Sequence, residues 1–320
     1  MTAFFGLLLL ATLLGLAFEV LPKAVLSLVV AGVALFAAVA WGVDFGGGGH
    51  GGHHIPMPVH LIEWPTLGVI IGSSIFVEIA SRSGIFTWSA IRLLKASRGD
   101  PWRLLLLLGV LTLAFSAFLN NVTAMIIVGS LTVVACRSLG LQARSFLLVE
   151  AFLTNVGGLL TLISSLPNII LGHAAGIGFL RFFLVAAPYC LIASAATFVM
   201  ARRIFGIRPL TDPEAAARAA ARVDEFDEWE TVKDRRFFKA AWFVTGGVIV
   251  LFALQGYLPV FKSEELGLQF VAFLGATVML VLKPKAVEEA LRKVEWSLVF
   301  FFVGLFILVG VCGHPDVGVL

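Results

Sequence analysis

Long apolar runs interrupted at two places by polar residues constrain this chain more than any other feature. The apolar stretches 104–113, 125–134 and 146–149 flank Ser116-Ala-Phe-Leu-Asn-Asn-Val-Thr123 and Thr154-Asn-Val-Gly-Gly158, and the second run continues to Ser164-Ser-Leu-Pro-Asn168. In hydrocarbon an amide or hydroxyl without a partner costs roughly several kcal/mol, so such groups seldom sit there without a task. Paired glycines and a proline at the same depth interrupt a helix. That is tolerated in a bilayer only where the backbone is buried in protein or lines a cavity. Two broken segments side by side are how many transporters build a substrate site near the midplane.

Composition fixes the class. Of 320 residues 59% are hydrophobic and 13% charged, with a mean hydropathy of +1.00. Charged residues are about half as frequent as in soluble domains. We expect spans at 3–18, 22–42, 64–90, 179–201, 238–258, 266–283 and 296–312, a paired element at 102–136 and a broken span at 145–172. The chain is thus read as an all-α polytopic membrane protein. The net charge of +3 reflects loop bias and indicates no nucleic-acid partner. Cys136, Cys190 and Cys312 are scattered in apolar surroundings, with no C-x-x-C pattern.

Loop charge orients the chain. Lys and Arg crowd the segments after the first, third and later spans, above all the insert around 202–237. The loops 43–63 and 173–178 contain none. The insert is therefore expected in the cytoplasm and the N-terminus outside, in an inner membrane. As a single helix 102–136 would be ~52 Å long, against a ~30 Å hydrocarbon core. One crossing there would also place Arg137, Arg144 and the insert outside. A helical hairpin turning at Asn120-Asn121 satisfies both limits, whether re-entrant or crossing twice. In the insert, Asp212 and Pro213 supply a helix cap and first turn, predicting a helix in a solvated connector.

Glu63-Trp64 opens one span and Glu295-Trp296 another, each followed at the same offset by a glycine, Gly72 and Gly304. Each pair follows two spans, and the charge assignment gives the two units opposite orientation, as in inverted-repeat transporters. The domains read from this are a first repeat at 1–201, a linker at 202–237 and the start of a second repeat at 238–320. That second repeat is expected to be incomplete, stopping after the span opened by Glu295-Trp296 without a hairpin or broken span of its own.

Asn120, Asn121 and Thr123 offer oxygens to a cation or N–H and O–H groups to an anion, and a helix beginning there aims its positive end at the tip. Turn chemistry and interhelical hydrogen bonding suit the same residues. Thr154, Asn155, Gly157, Gly158, Ser164, Ser165 and Asn168 would form the facing wall. Glu78 and Arg82, four apart, can neutralise one another. His50, His53, His54 and His60 are weak metal candidates in a glycine-rich loop with no preformed frame. No hydrolase or metalloprotease motif is present, so an enzyme is not expected.

The two polar stretches, Ser116–Met125 and Thr154–Gly158 with Pro167-Asn168, resemble the signature segments of the ion transporter superfamily. Its members include arsenite permeases, sodium/proton antiporters, the melanosomal P protein and dicarboxylate or citrate carriers. Glu63-Trp64 and the segment 294–306 resemble the entrances to that family's two repeats. The resemblance implies a scaffold-and-transport fold, often dimeric, with sodium or protons as coupling ions and no other cofactor. Some branches carry Asp at the position of Asn120 and Gly-Asp at Ser164-Ser165. The neutral residues here suit movement of a small inorganic or carboxylate anion, although sodium-for-proton exchange stays open. The alternative is a non-transporting half-protomer needing a partner that supplies the second hairpin.

Overall fold

A computed structural model describes residues 1–43, 57–257 and 267–319. Within these, the chain is helical and forms two compact units, one of residues 1–71 with 294–320 and one of residues 72–293. Among the described residues five helices are each long and apolar enough to cross a bilayer: Lys23–Ala40, Trp64–Ser81, Asn121–Leu139, Phe179–Ile204 and Arg235–Leu254. Large apolar side chains face outward on these helices (Phe36 is 78% exposed and Phe243 82%), while Thr12, Ser27, Thr112 and Thr132 are buried. That distribution fits a lipid solvent. The buried hydroxyls of Thr12 and Thr112 donate to carbonyls one turn back, Leu8 and Leu108, satisfying themselves within the helix.

The first unit contains α1 (Thr2–Ala17), α2 (Lys23–Ala40), α3 (Met57–His60), the start of α4 (Trp64–Ser81) and, from the far end of the sequence, α15 (Trp296–Cys312). A stripe of small residues on α2, Ala31, Ala34 and Ala38, is almost fully buried, and α15 packs along α2. A Cβ on Gly304 would come within 2.5 Å of the Ser27 carbonyl carbon. Close backbone approach is the usual way to hold helices together where lipid supplies no hydrophobic drive.

The second unit begins with the remainder of α4. The expected span at 64–90 is in fact two helices. Gly84 adopts φ +84° at the start of α5 (Ile85–Ala96), whose first N–H donates to the Ser83 hydroxyl. A left-handed residue ends the preceding helix, and glycine takes it without strain. Arg82, just beyond α4, donates to Glu78 at 2.9 and 3.0 Å and also pairs with Glu289. The hairpin follows as α6 (Pro101–Ser116) and α7 (Asn121–Leu139), legs of ~24 and ~28 Å at 1.5 Å per residue. Next come α8 (Ala143–Gly158) and α9 (Leu166–Ala174), the two parts of the broken span, and α10 (Phe179–Ile204). Helix α8 is central, packed against α6, α7 and α10.

After α10 the insert forms α11 (Pro213–Asp224), capped by Asp212, before α12 (Arg235–Leu254) and α13 (Leu268–Leu282). A 111° bend then leads through a 3-10 turn to α14 (Val287–Lys293). The insert is more than a solvated connector. Val223 is fully buried, Arg222 donates to the Ser138 carbonyl at 2.9 Å, and the Leu210 N–H donates to Asp100 at 2.7 Å. Glu228 accepts from Lys95 at 2.5 Å and from Arg92 at 3.2 Å, both on α5.

A Cβ on Gly72 would lie 2.9 Å from the Ala272 backbone on α13. Each glycine of the matched pair thus marks a close crossing, Gly304 with α2 and Gly72 with α13. Replacing Gly304 with Val should destabilise the protein by about 1–3 kcal/mol through overpacking against backbone. Gly32→Ala, with open space around its Cβ, should not. Thermal unfolding of both variants in detergent checks this.

The Lys95 hydrogen bond, then a backbone bond and Arg92, hold the Glu228 carboxyl below its usual range. A lowered carboxylate contributes stability above its unfolded pKa and loses it as the pH falls through the folded value. Glu228→Gln should therefore loosen residues 225–232 at pH 7, and the native protein should loosen only below the ordinary glutamate value of ~4.3. Amide hydrogen exchange in that segment is the readout.

Candidate functional site

The hairpin tip is built by a cap. Asn120 is extended, and its side-chain oxygen accepts from the Thr123 N–H at 2.7 Å, closing the first turn of α7. Asn120 is exposed and Thr123 half-buried. The next residue, Asn121, turns to the neighbouring elements. Its side-chain oxygen lies 2.7 Å from the Ser116 hydroxyl, and its amide nitrogen is 3.5 Å from the Asn155 side-chain oxygen on α8. Ser116 also lies 2.5 Å from the Thr154 carbonyl, so its single proton is shared between the hairpin and α8.

Two glycines allow this approach. A Cβ on Gly157 would sit 2.6 Å from the Leu113 carbonyl oxygen, and one on Gly158 would sit 2.8 Å from the Asn121 side-chain oxygen. Helix α8 ends at Gly158 and α9 starts at Leu166. Between them the backbone is braced from within. Ser164 donates to the carbonyls of Gly158 (2.7 Å) and Thr161 (3.0 Å), and Asn168 donates to the same two at 3.0 and 2.9 Å. Thr161 donates to the Ala117 carbonyl in the hairpin turn. Ser164, Asn168 and Thr161 are buried; Ser165 is half-buried.

Most of the predicted residues fall into two groups that meet at Gly158, with Asn120 and Thr123 apart at the α7 cap. Asn121, Thr154, Asn155, Gly157 and Gly158, joined by Ser116, form the junction of tip and α8. Ser164 and Asn168 hold the break, and Asn120 holds the start of α7. Asn155 is exposed and forms the rim. An apolar cavity of about 210 Å³ adjoins the tip through Phe118 and Leu119 and the break through Ile163, and is otherwise walled by residues such as Phe76, Phe86 and Trp242. None of the predicted polar residues lines it. His50, His53 and His54 lie outside the described residues, and His60 ends α3. Among the described residues no cluster of His, Cys, Asp or Glu is arranged for a metal.

Sequence reading passed over one residue. Glu150 on α8 is fully buried, and its Oε1 accepts from Thr132 of α7 at 2.6 Å. Its Oε2 has no hydrogen-bond partner among the described residues. A lone carboxyl within Phe146–Leu153 was signal enough, since ionisable residues at membrane depth are seldom incidental.

These features define a polytopic α-helical membrane protein with a hairpin abutting a broken helix. The chain matches the citrate transporter family model over residues 13–316, and it belongs to that family. It is 34% identical over 250 residues to an uncharacterized transporter of Mycobacterium tuberculosis, covering 78% of this chain and 56% of the relative. It is 31% identical over 258 residues to a 46 kDa membrane protein of Mycobacterium leprae, covering 80% and 57%. The human P protein is 27% identical over 328 aligned positions, covering 81% and 39%. The chain spans about half the length of the mycobacterial relatives it matches. The family is described as one of citrate transporters, and the Mycobacterium tuberculosis relative carries the name of a transporter.

Because Leu113 presents backbone, which cannot swing aside, Gly157→Ala should separate hairpin from α8. We expect a fall in thermal stability of roughly 1–3 kcal/mol. Asn120→Ala removes a helix cap, worth about 1 kcal/mol. Detergent melting of the two variants side by side tests the order.

Proposed function

We propose that this chain is an ion-coupled secondary transporter for a small anion, a carboxylate such as citrate foremost. The carrying observation is the contact of Asn121 with both Ser116 and Asn155, which joins the start of one helix to the end of another beside an exposed amide rim. The walls are uncharged, and the positive end of α7 points at the junction. An anion gains there from the helix end and from N–H and O–H donors without a fixed negative charge to repel it. The family description supports a carboxylate substrate. Sodium or a proton would be the coupling ion.

The transport unit would rock against scaffold helices in the inner membrane, with the N-terminus outside and the insert in the cytoplasm. The matched crossings of Gly72 with α13 and Gly304 with α2 support two inverted repeats, each third helix packing on the second helix of the other. A second reading is favoured by the 56% coverage of the relatives. In it, flux requires a complementary half, from the same polypeptide, a second copy or a separate chain.

Radiolabelled citrate, arsenite, sulfate and sodium offered to proteoliposomes would test the proposal. We expect citrate uptake, reduced roughly tenfold by Asn121→Ala, the equivalent of about 1.4 kcal/mol of lost polar contact. Uptake at the native rate in Asn121→Ala overturns the site. No flux until a complementary half is added selects the second reading.

A further inference from the structure

We propose that Glu150 is a proton-binding site of the hairpin: it holds a proton on Oε2 while α7 is packed on α8 and releases it when they part. Three observations carry this. Glu150 is fully buried at the interface of α7 and α8, about two turns from the start of α8. Thr132 donates to Oε1, which marks that oxygen as the acceptor and leaves Oε2 to carry hydrogen. Among the described residues no donor reaches Oε2.

An ionised carboxylate there would be a buried charge without a counter-charge, far costlier than one unmade hydrogen bond on a neutral acid. The titratable and charged groups on the packed helices do not supply one. On α7, Cys136 shares the face of Thr132, four residues on, and is itself buried. On α10, Cys190 donates to the Val156 carbonyl. Arg103 of α6, Arg137 of α7, Arg144 of α8, and Arg181, Arg202 and Arg203 of α10 lie toward helix ends and are exposed.

Glu150 is also tied to the candidate site. The Thr154 hydroxyl donates to the Glu150 carbonyl at 2.8 Å, and the Thr154 carbonyl is held by Ser116, the partner of Asn121. Thr132, its side-chain partner, lies on the hairpin leg that begins at Asn121. Movement of that leg away from α8 would remove the Thr132 hydrogen bond and admit water. The carboxyl then ionises, giving its proton to that water. Return of the leg takes one proton up, so one proton is exchanged per cycle. This rests on the proposed role of the hairpin as the moving element.

The test is infrared spectroscopy of the purified chain in lipid, read through the carboxylic acid C=O stretch without any substrate. Native protein should show the band at neutral pH and lose it on alkaline titration; Glu150→Gln, neutral and isosteric, should lack it. A native protein without the band, or a band that survives in Glu150→Gln, overturns the proposal whether or not citrate is transported. In proteoliposomes an inward proton gradient should stimulate native citrate uptake several-fold and leave Glu150→Gln unstimulated. Full stimulation in the variant overturns the coupling. Absence of citrate uptake in native liposomes counts against the substrate reading alone, since the infrared result still decides whether Glu150 holds the proton.

Discussion

A polar group taken out of water into hydrocarbon has to be answered by another polar group, and the unit around α8 is organised by that demand. Breaking the helix after Gly158 leaves carbonyls without their usual partners. Ser164 and Asn168 return from beyond the break to donate to two of them, those of Gly158 and Thr161. Thr161 in turn donates to Ala117 in the hairpin turn. The break and the tip therefore satisfy one another as well as themselves. A free-standing kink needs no such ties, and their presence makes the two interruptions a single structural object.

The same object is gripped from the side of the insert. Asp100 caps the start of α6 with one oxygen and accepts from the insert at Leu210 with the other. Arg222 of α11 reaches the carbonyl of Ser138 near the end of α7. Glu228 draws in Lys95 and Arg92 of α5, while Trp229 packs at a tilt against Trp88 and lies under Arg235. Both hairpin legs thus have the ends away from the tip tied to one segment that lies outside the apolar runs. Small separate contacts of this kind contribute little singly, but together they oppose the splaying of two helices whose lipid-facing surfaces offer no drive to associate.

How much of this could be read from the residues depended on the type of signal. The hairpin turn and the broken span were legible because Asn, Gly and Pro stand out against apolar runs, and helices replace the runs as expected. The matched glycines were legible as a pattern, though not as the close crossings they turned out to be. The division at Gly84 was missed because one glycine in an apolar stretch is ambiguous until its φ is known. The burial of Val223 and Glu228 was missed because the insert is rich in Ala, Arg and Glu, a composition equally suited to a solvated helix. Association of the first 71 residues with 294–320 lies in tertiary packing, on which no local signal bears. Among the candidate residues, position along the chain did not separate Asn120, spent on a cap, from Asn121 beside it, which reaches α8.

Glu150 was overlooked for a different reason. The polar runs stand out as clusters, and a single carboxyl between Val149 and Ala151 forms none. Yet clustering is the weaker criterion at membrane depth. Hydroxyls and amides can satisfy themselves on their own helix, as Thr112 and Ser194 do, and so appear for packing reasons alone. A carboxyl has no such outlet in its ionised form. The tip and break carry neutral groups, which can hold an ion by hydrogen bonds but cannot exchange a proton at ordinary pH. Any proton linkage in this unit must come from elsewhere, and Glu150 on α8 is a buried carboxyl already hydrogen-bonded to the hairpin leg. Separating the neutral contacts from the titrating group would let the first set recognition and the second set the energetic link, each changed without disturbing the other.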